Sequence, residues 1–242
     1  MHRVFVQDAP LLAPGERVEV VGPEAEHAAR VKRLGPGDAV ALLDGRGTVA
    51  AARVESTGKV GKGGWRLAAV VESVATAERV RPRVEVWSAT PKGGRVDELV
   101  DGLSQVGAAA WSPLRAERSV VQPRETKLER LERIAWEAAK QCGRAWVLEI
   151  GRERSWEEAI APEAGVRVVL ADASGEPYER TGAEGVRVLV GPEGGWTEAE
   201  LAAARAAGAT IARFGPHAMR IETAAVVAVA VVLDVEGREA RG

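Results

Sequence analysis

The chain has 242 residues, enough for one large core or two modest ones, since domains usually hold about 100 to 200 residues. A composition of 46% hydrophobic and 28% charged residues excludes a disordered polymer, and 33 Lys and Arg against 35 Asp and Glu leave a net charge of −2, which excludes a global basic field directed at nucleic acid. Any nucleic-acid contact must come from local patches. Those patches would be mostly arginine, because only 6 of the 33 basic residues are lysines. The planar guanidinium suits phosphates and carboxylates, although a GC-rich genome produces the same excess.

A single cysteine, Cys142, excludes an intrachain disulfide and any multi-cysteine zinc or iron–sulfur site, so no metal is expected. The opening "MHRVFVQDAP" lacks the apolar core of a secretion signal, and the most apolar run, "TAAVVAVAVVL", falls short of the roughly 20 residues that span a bilayer. These features give the expectation of a cytoplasmic protein with no membrane contact.

Residues 1–72 contain short strand-like runs, "ERVEVV", "DAVALL", "TVAAARVES" and "WRLAAVVES", with an Asp-Gly hairpin signal in "DGRG". Such a series predicts a small β-barrel or sandwich. The exception is "PEAEHAARVKRLG", a short helix expected to end at Gly35 and carrying Arg30 and Arg33. From the link "TAERVRPR" onward the texture changes, and residues 73–242 alternate strands with helices. "VEVWSAT", "AAAWSPL", "AWVLEI", "VRVVLAD", "VRVLVG" and "ATIARFG" read as strands. "RVDELVDGLSQVG" places Val96, Leu99, Val100 and Leu103 at helical spacing, and "RETKLERLERIAWEAAKQCG" does so with Leu128, Leu131, Ile134 and Ala138. This alternation predicts an α/β domain built on a parallel sheet.

"VRVLVGPEGGWTEAEL" is the most informative stretch. Thr197 and Glu200 form a capping box, so "GPEGG" is a loop between a buried strand and a helix starting near Glu198. Ligands of open parallel sheets bind beyond the carboxyl ends of the strands, where glycines admit them close to the backbone. The loop lacks the spacing of the common phosphate loops, and Glu193 would repel a phosphate, so a neutral or cationic ligand fits better. Glycines that merely make a tight turn are the plainer alternative. A second loop, "FGPHAMR", precedes a helix apolar on nearly every face, which must be buried on several sides, within the domain or against another subunit.

"LVGPEGGWTEAEL" and "FGPHAMRIETAA" resemble the two C-terminal motifs of the SPOUT methyltransferases, in particular the 16S ribosomal RNA uridine N3-methyltransferase family. The likeness extends over most of the chain. "HAARVKRLGPGDAVALLDGRG" is similar to that family's PUA-like RNA-binding domain, and "PKGGRVDELVDGLSQVG", "ERSVVQ" and "EAAKQCGR" are similar to its intermediate motifs. The chain departs from the family pattern at Phe214, His217, Ala218, Met219 and Ile221, and at Cys142 in "QCGR".

The resemblance implies a deep trefoil knot at the C-terminus, a homodimer built on knot helices, and S-adenosyl-L-methionine as cofactor. It places the cofactor among Leu170, Ala171, Val190, Gly191, Glu193, Gly194, Gly195, Phe214, Gly215, Met219 and Arg220. It implies 16S ribosomal RNA or the small ribosomal subunit as partner, with Arg30, Arg33, Lys92, Arg115, Arg118 and Arg144 as candidate phosphate contacts. Methylation at N3 of uridine removes the imide proton, so negative charge on the uracil oxygens needs stabilising; Arg220 is the first candidate for that task and Glu193 the candidate for accepting a proton or holding substrate. Pairing of Arg220 with Glu222, and capping of backbone amides by Glu193, are the structural alternatives. A noncatalytic RNA-binding protein on a knotted scaffold and a transfer-RNA methyltransferase are the competing functions; the intact glycines at 191, 194 and 195 oppose the first, and the PUA-like start opposes the second.

Overall fold

The computed structural model describes residues 1–6, 13–61, 64–121 and 128–237. They fall into two compact units, Met1–Arg79 with Ala139–Val147, and Val80–Ala138 with Leu148–Gly242.

The first unit is built on a mixed five-stranded sheet in the order β1-β3-β4-β5-β2. Its strands are β1 (His2–Phe5), β2 (Arg17–Val21), β3 (Ala39–Leu43), β4 (Thr48–Val60) and β5 (Gly64–Thr76), antiparallel except for the parallel pair β1–β3. The Asp-Gly turn closes the β3–β4 hairpin as expected, because Asp44 Oδ1 accepts from the backbone of Arg46 at 2.7 Å and of Thr48 at 2.9 Å. Alternating residues of the strands, among them Val18, Val20, Val40, Leu42, Ala52, Val54, Leu67, Ala69 and Val71, bury a single apolar cluster. The β4–β5 hairpin carries the unit past residue 72, where the change of texture suggested a break.

The helix expected up to Gly35 is shorter. It consists of α1 (Pro23–Glu26) followed by one wide turn over His27–Val31, where Lys32 N donates to His27 O at 3.1 Å. Arg33 then turns left-handed at φ 55, which drops Leu34 into the core and ends the helix.

The second unit carries a six-stranded, wholly parallel sheet in the order β11-β9-β10-β6-β7-β8. The strands are β6 (Arg83–Ser88), β7 (Ala110–Pro113), β8 (Glu149–Ile150), β9 (Val166–Pro177), β10 (Gly185–Val190) and β11 (Thr210–Arg213). The helices are α2 (Arg95–Val106), α3 (Leu128–Cys142, whose residues from Ala139 on are assigned to the first unit), α4 (Trp156–Ile160), α5 (Glu198–Ala206) and α6 (Ile221–Gly237). The α/β architecture with a smaller β-rich N-terminal unit is therefore as expected from the alternation of elements. Residues 124–127 of the expected third helix lie outside the described residues.

Two segments differ from expectation. Of "AWVLEI" only the last two residues join the sheet, because Ala145 and Val147 spend their backbone bonds on Gly47 and Gly45 of the first unit, at 3.0 and 2.9 Å. β9 runs on to Pro177 by means of an excursion: β11 pairs first with Val169 and Leu170, then with Glu176 and Pro177, so the residues between them leave the β11 ladder. Gly175 makes this possible, since a Cβ there would lie 2.5 Å from the Ile211 carbonyl oxygen.

The apolar spacing of α2 is realised, with Val96, Leu99, Val100 and Leu103 buried. Helix α6 buries Ile221, Ala225, Ala228, Val229 and Val232 and comes close to α2 where Val226 approaches Gly102. Among the described residues no helix is long and apolar enough to cross a membrane.

Gly102 sets two effects against each other. Alanine is favoured in a helix interior by up to about 1 kcal/mol, but the added Cβ would sit 2.8 Å from Val226 Cγ2, and overpacking of that kind costs about 1–3 kcal/mol. Gly102→Ala is expected to lower the unfolding midpoint in urea, and a raised midpoint would show that α2 and α6 have room to part.

Candidate active site

The β9–β10 and β10–β6 ladders end together, with Val190 opposite both Ala171 and Ser88. Beyond those ends the chain makes three turns, at Asp172–Gly175, Gly191–Thr197 and Phe214–Arg220, and a cleft opens among them. Of the residues expected around a cofactor, Ala171, Val190, Gly191, Glu193, Gly195, Phe214, Gly215 and Met219 line this cleft. Leu170, Gly194 and Arg220 are not among its lining residues. Asp172, Ala173, Pro192, Trp196, Arg213, His217, Ala218, Ile221 and Ala224 line it as well.

The Gly191–Thr197 turn is held from several sides. Gly195 N donates to Pro192 O at 2.8 Å and Gly195 adopts φ 69, a conformation that favours glycine. Trp196 is buried, its indole N–H donates to Ala171 O at 3.1 Å, and its ring lies so close to Gly191 that a Cβ there would meet it at 2.9 Å. Trp156 of α4 backs the indole, with ring centroids 5.2 Å apart. The capping box at the start of α5 is complete: Thr197 N donates to Glu200 Oε2 at 2.8 Å and Glu200 N to Thr197 Oγ1 at 3.2 Å. Glu200 is buried, and its other oxygen accepts from Glu117 N at 2.9 Å.

Arg118, a candidate phosphate contact, donates to Gly194 O at 2.7 Å and to Trp196 O at 3.4 Å. It thereby ties the segment after β7 to the turn. Arg115 is bonded to Glu153, and Arg30 to Glu26 one helical turn away at 2.6 Å. Arg33 and Lys92 are exposed, while burial lowers the affinity of the half-buried Arg144 guanidinium for its proton below the ordinary arginine value. Arg30, Arg33 and Arg144 belong to the first unit and Lys92, Arg115 and Arg118 to the second.

Arg220 is exposed at the start of α6 and, among the described residues, makes no ion pair with Glu222, which is itself buried with Oε2 unpartnered. Glu193 is exposed at the mouth of the cleft. The chemistry of the cleft is mixed: the carboxylates of Asp172 and Glu193 and the basic side chains of Arg213 and His217 line it together with apolar Phe214, Met219, Trp196 and Ile221 and with glycine backbone. Such a site suits a ligand that joins a flat apolar group to positive charge, and S-adenosylmethionine is of that kind. Asp172, Ala173 and the α4 support were not anticipated from the sequence. Asp172 is fixed by bonds from Ser174 N at 2.9 Å and Ser174 Oγ at 2.6 Å, an Asx turn that "DAS" could have signalled.

A family model described as an RNA methyltransferase domain matches residues 78–233, and one described as an RNA methyltransferase PUA domain matches residues 22–59. The ribosomal RNA small subunit methyltransferase E of Mycobacterium bovis is 34% identical over 226 residues, covering 88% of this chain and 84% of that protein. Its Synechocystis counterpart is 29% identical over 233 residues, covering 91% and 75%. Among solved structures, a ribosomal RNA small subunit methyltransferase E from Neisseria gonorrhoeae bound to S-adenosyl methionine superimposes with a TM-score of 0.83 at 24% identity over 98% of both chains, a likeness of fold. The chain belongs to this family of RNA methyltransferases.

The glycines of the turn should not be equivalent. Gly191→Ala drives a Cβ into the Trp196 ring and should cost about 1–3 kcal/mol of stability, whereas Gly194→Ala meets only the Arg118 side chain at 3.4 Å and should be nearly neutral. Urea midpoints of the two variants check this, and the reverse order would contradict the packing described.

Proposed function

We propose that the chain transfers a methyl group from S-adenosyl-L-methionine to N3 of a uridine in the 16S RNA of the small ribosomal subunit. The observation that carries the reading is the cleft at the end of the β9–β10 ladder, lined by Asp172 and Glu193 together with apolar side chains at a glycine turn. The family and its small-subunit relatives supply the substrate class.

When bound, S-adenosylmethionine supplies a methyl group made electrophilic by its sulfonium. The turn Gly191–Trp196 and the Phe214–Met219 wall would hold it, with the carboxylates of Asp172 and Glu193 beside its positive groups. N3 would bond to the methyl carbon as the carbon–sulfur bond breaks with its electron pair on sulfur, and the uridine would lose its imide proton. Glu193 is the carboxylate at the cleft mouth and takes that proton in this reading. Arg220 follows the Phe214–Met219 wall directly, and its exposed guanidinium stabilises the charge on the uracil oxygens. Alignment of two reactants in one cleft supplies the rest of the rate.

The first unit, centred on residues 1–72, acts as the PUA-like RNA-holding domain, with Arg30, Arg33 and Arg144 at phosphates, and Lys92, Arg115 and Arg118 of the second unit are further contacts. Phosphate contacts set register without reading bases. The C-terminal domain is knotted, acts in the cytoplasm, and pairs with a second copy through α6, whose Val226, Val227, Val231 and Leu233 remain partly exposed in the single chain. Light scattering at micromolar concentration is expected to give twice the chain mass; a monomer would contradict the pairing.

The catalytic reading is tested by calorimetry and turnover together. The chain should bind S-adenosylmethionine, and Arg220→Ala should lower kcat by about 10²–10³-fold while leaving cofactor affinity within about twofold. Absence of cofactor binding would overturn the reading, and an unchanged kcat would remove Arg220 from it.

A further inference from the structure

The apolar wall of the cleft has a support on its far side. Phe214 lines the cleft, and its ring stacks on that of Tyr178, with centroids 5.7 Å apart and planes 24° apart. The register of β9 and β11 creates this contact, since Arg213 pairs with Pro177 and the two aromatic residues are the next ones on each strand. Tyr178 is 6% exposed, so its hydroxyl needs a partner. The hydroxyl donates to Glu236 Oε1 at 2.7 Å.

Glu236 sits in the last turn of α6 and grips the whole connection that follows β9. It also accepts from Thr181 N and Thr181 Oγ1, both at 2.8 Å, and from Gly182 N at 3.0 Å. Burial opposes ionisation of this carboxyl, but the bonds from Tyr178, Thr181 and Gly182 outweigh it and hold it below the usual glutamate range. Burial, followed by the bond to Glu236, pushes the Tyr178 hydroxyl above its ordinary value, so it remains a donor. The first turn of α6, through Ile221 and Ala224, lines the same cleft. One helix thus touches the cleft directly at its start and, through Tyr178, supports the Phe214 ring from its end.

We propose that Tyr178, held by Glu236, is a positioning residue that fixes the Phe214 ring as the wall against which the flat group of the cofactor lies. Packing alone would be met by any buried apolar side chain at 178. A tyrosine tied to α6 adds a defined ring plane and removes freedom that binding would otherwise have to take away. The proposal rests on reading the cleft as the S-adenosylmethionine site.

The test compares the wild-type chain with Tyr178→Leu, Tyr178→Phe and Glu236→Gln. An aromatic pair of this kind corresponds to roughly two- to tenfold in affinity, so Tyr178→Leu should raise KM for S-adenosylmethionine by that factor while kcat at saturation and RNA affinity stay within about twofold. Tyr178→Phe keeps the stack but loses the bond to Glu236, so its KM should fall between those of the wild type and Tyr178→Leu. Glu236→Gln weakens the grip and should shift KM in the same direction, which keeps the test valid if Tyr178→Leu does not fold. Leu67→Ala, in the core of the first unit, serves as the control for lost stability and should leave KM unchanged. A folded Tyr178→Leu with wild-type KM, or an equal shift in Leu67→Ala, would overturn the positioning role. Failure of the wild-type chain to bind S-adenosylmethionine would instead overturn the assignment of the cleft.

Discussion

The alignment of strand ends at Ala171, Val190 and Ser88 is the constraint on which the candidate site depends. Because β11, β9 and β10 are neighbours in the sheet, three loops separated in sequence gather at one place. The indole of Trp196 fixes their spacing by bonding to Ala171 O while lying against Gly191. β10 is buried throughout, so a slip of its register would move every packed side chain into the site of another on the opposite face. The rigidity of the cleft floor is therefore inherited from the sheet, and only the turns above it are left to local chemistry.

Those turns are stabilised by polar groups satisfied at short range. Asp172 closes its own turn, Thr197 and Glu200 cap α5, Glu200 reaches Glu117, and Arg118 holds the carbonyl of Gly194. Each bond is worth little by itself, on the order of 1 kcal/mol, but together they hold exposed backbone at a position where the sheet no longer does. Arg118 illustrates how a basic residue beside a functional loop can belong to the loop. Its bonds to Gly194 and Trp196 are a structural task that its place in the sequence did not announce.

Much of this was legible in the residues. The capping box at Thr197 and Glu200, the Asp-Gly hairpin, the apolar face of α2 and the glycine turn all have short-range causes, and each was realised. What was not legible depends on partners remote in sequence. "AWVLEI" has the composition of a strand, yet Ala145 and Val147 bond to the β3–β4 hairpin of the first unit. The wide turn after α1 and the left-handed Arg33 follow from the burial of Leu34, which periodicity does not encode. Helix α4 carried a signal that was passed over, the capping box of Ser155 and Glu158, and with it went the support that Trp156 gives to Trp196. The stack of Tyr178 on Phe214 depends on the excursion in β9 and could not be read from either residue.

The central claim is that this cleft places a methyl group on one nitrogen of one class of base. The most direct measurement is to incubate the purified chain and S-adenosylmethionine with small ribosomal subunits from a strain lacking the corresponding gene, then to map the 16S RNA by nucleoside mass analysis. The account predicts a single new methyl group, at N3 of a uridine. A methyl group on another atom or another base, or none with intact subunits, would contradict it.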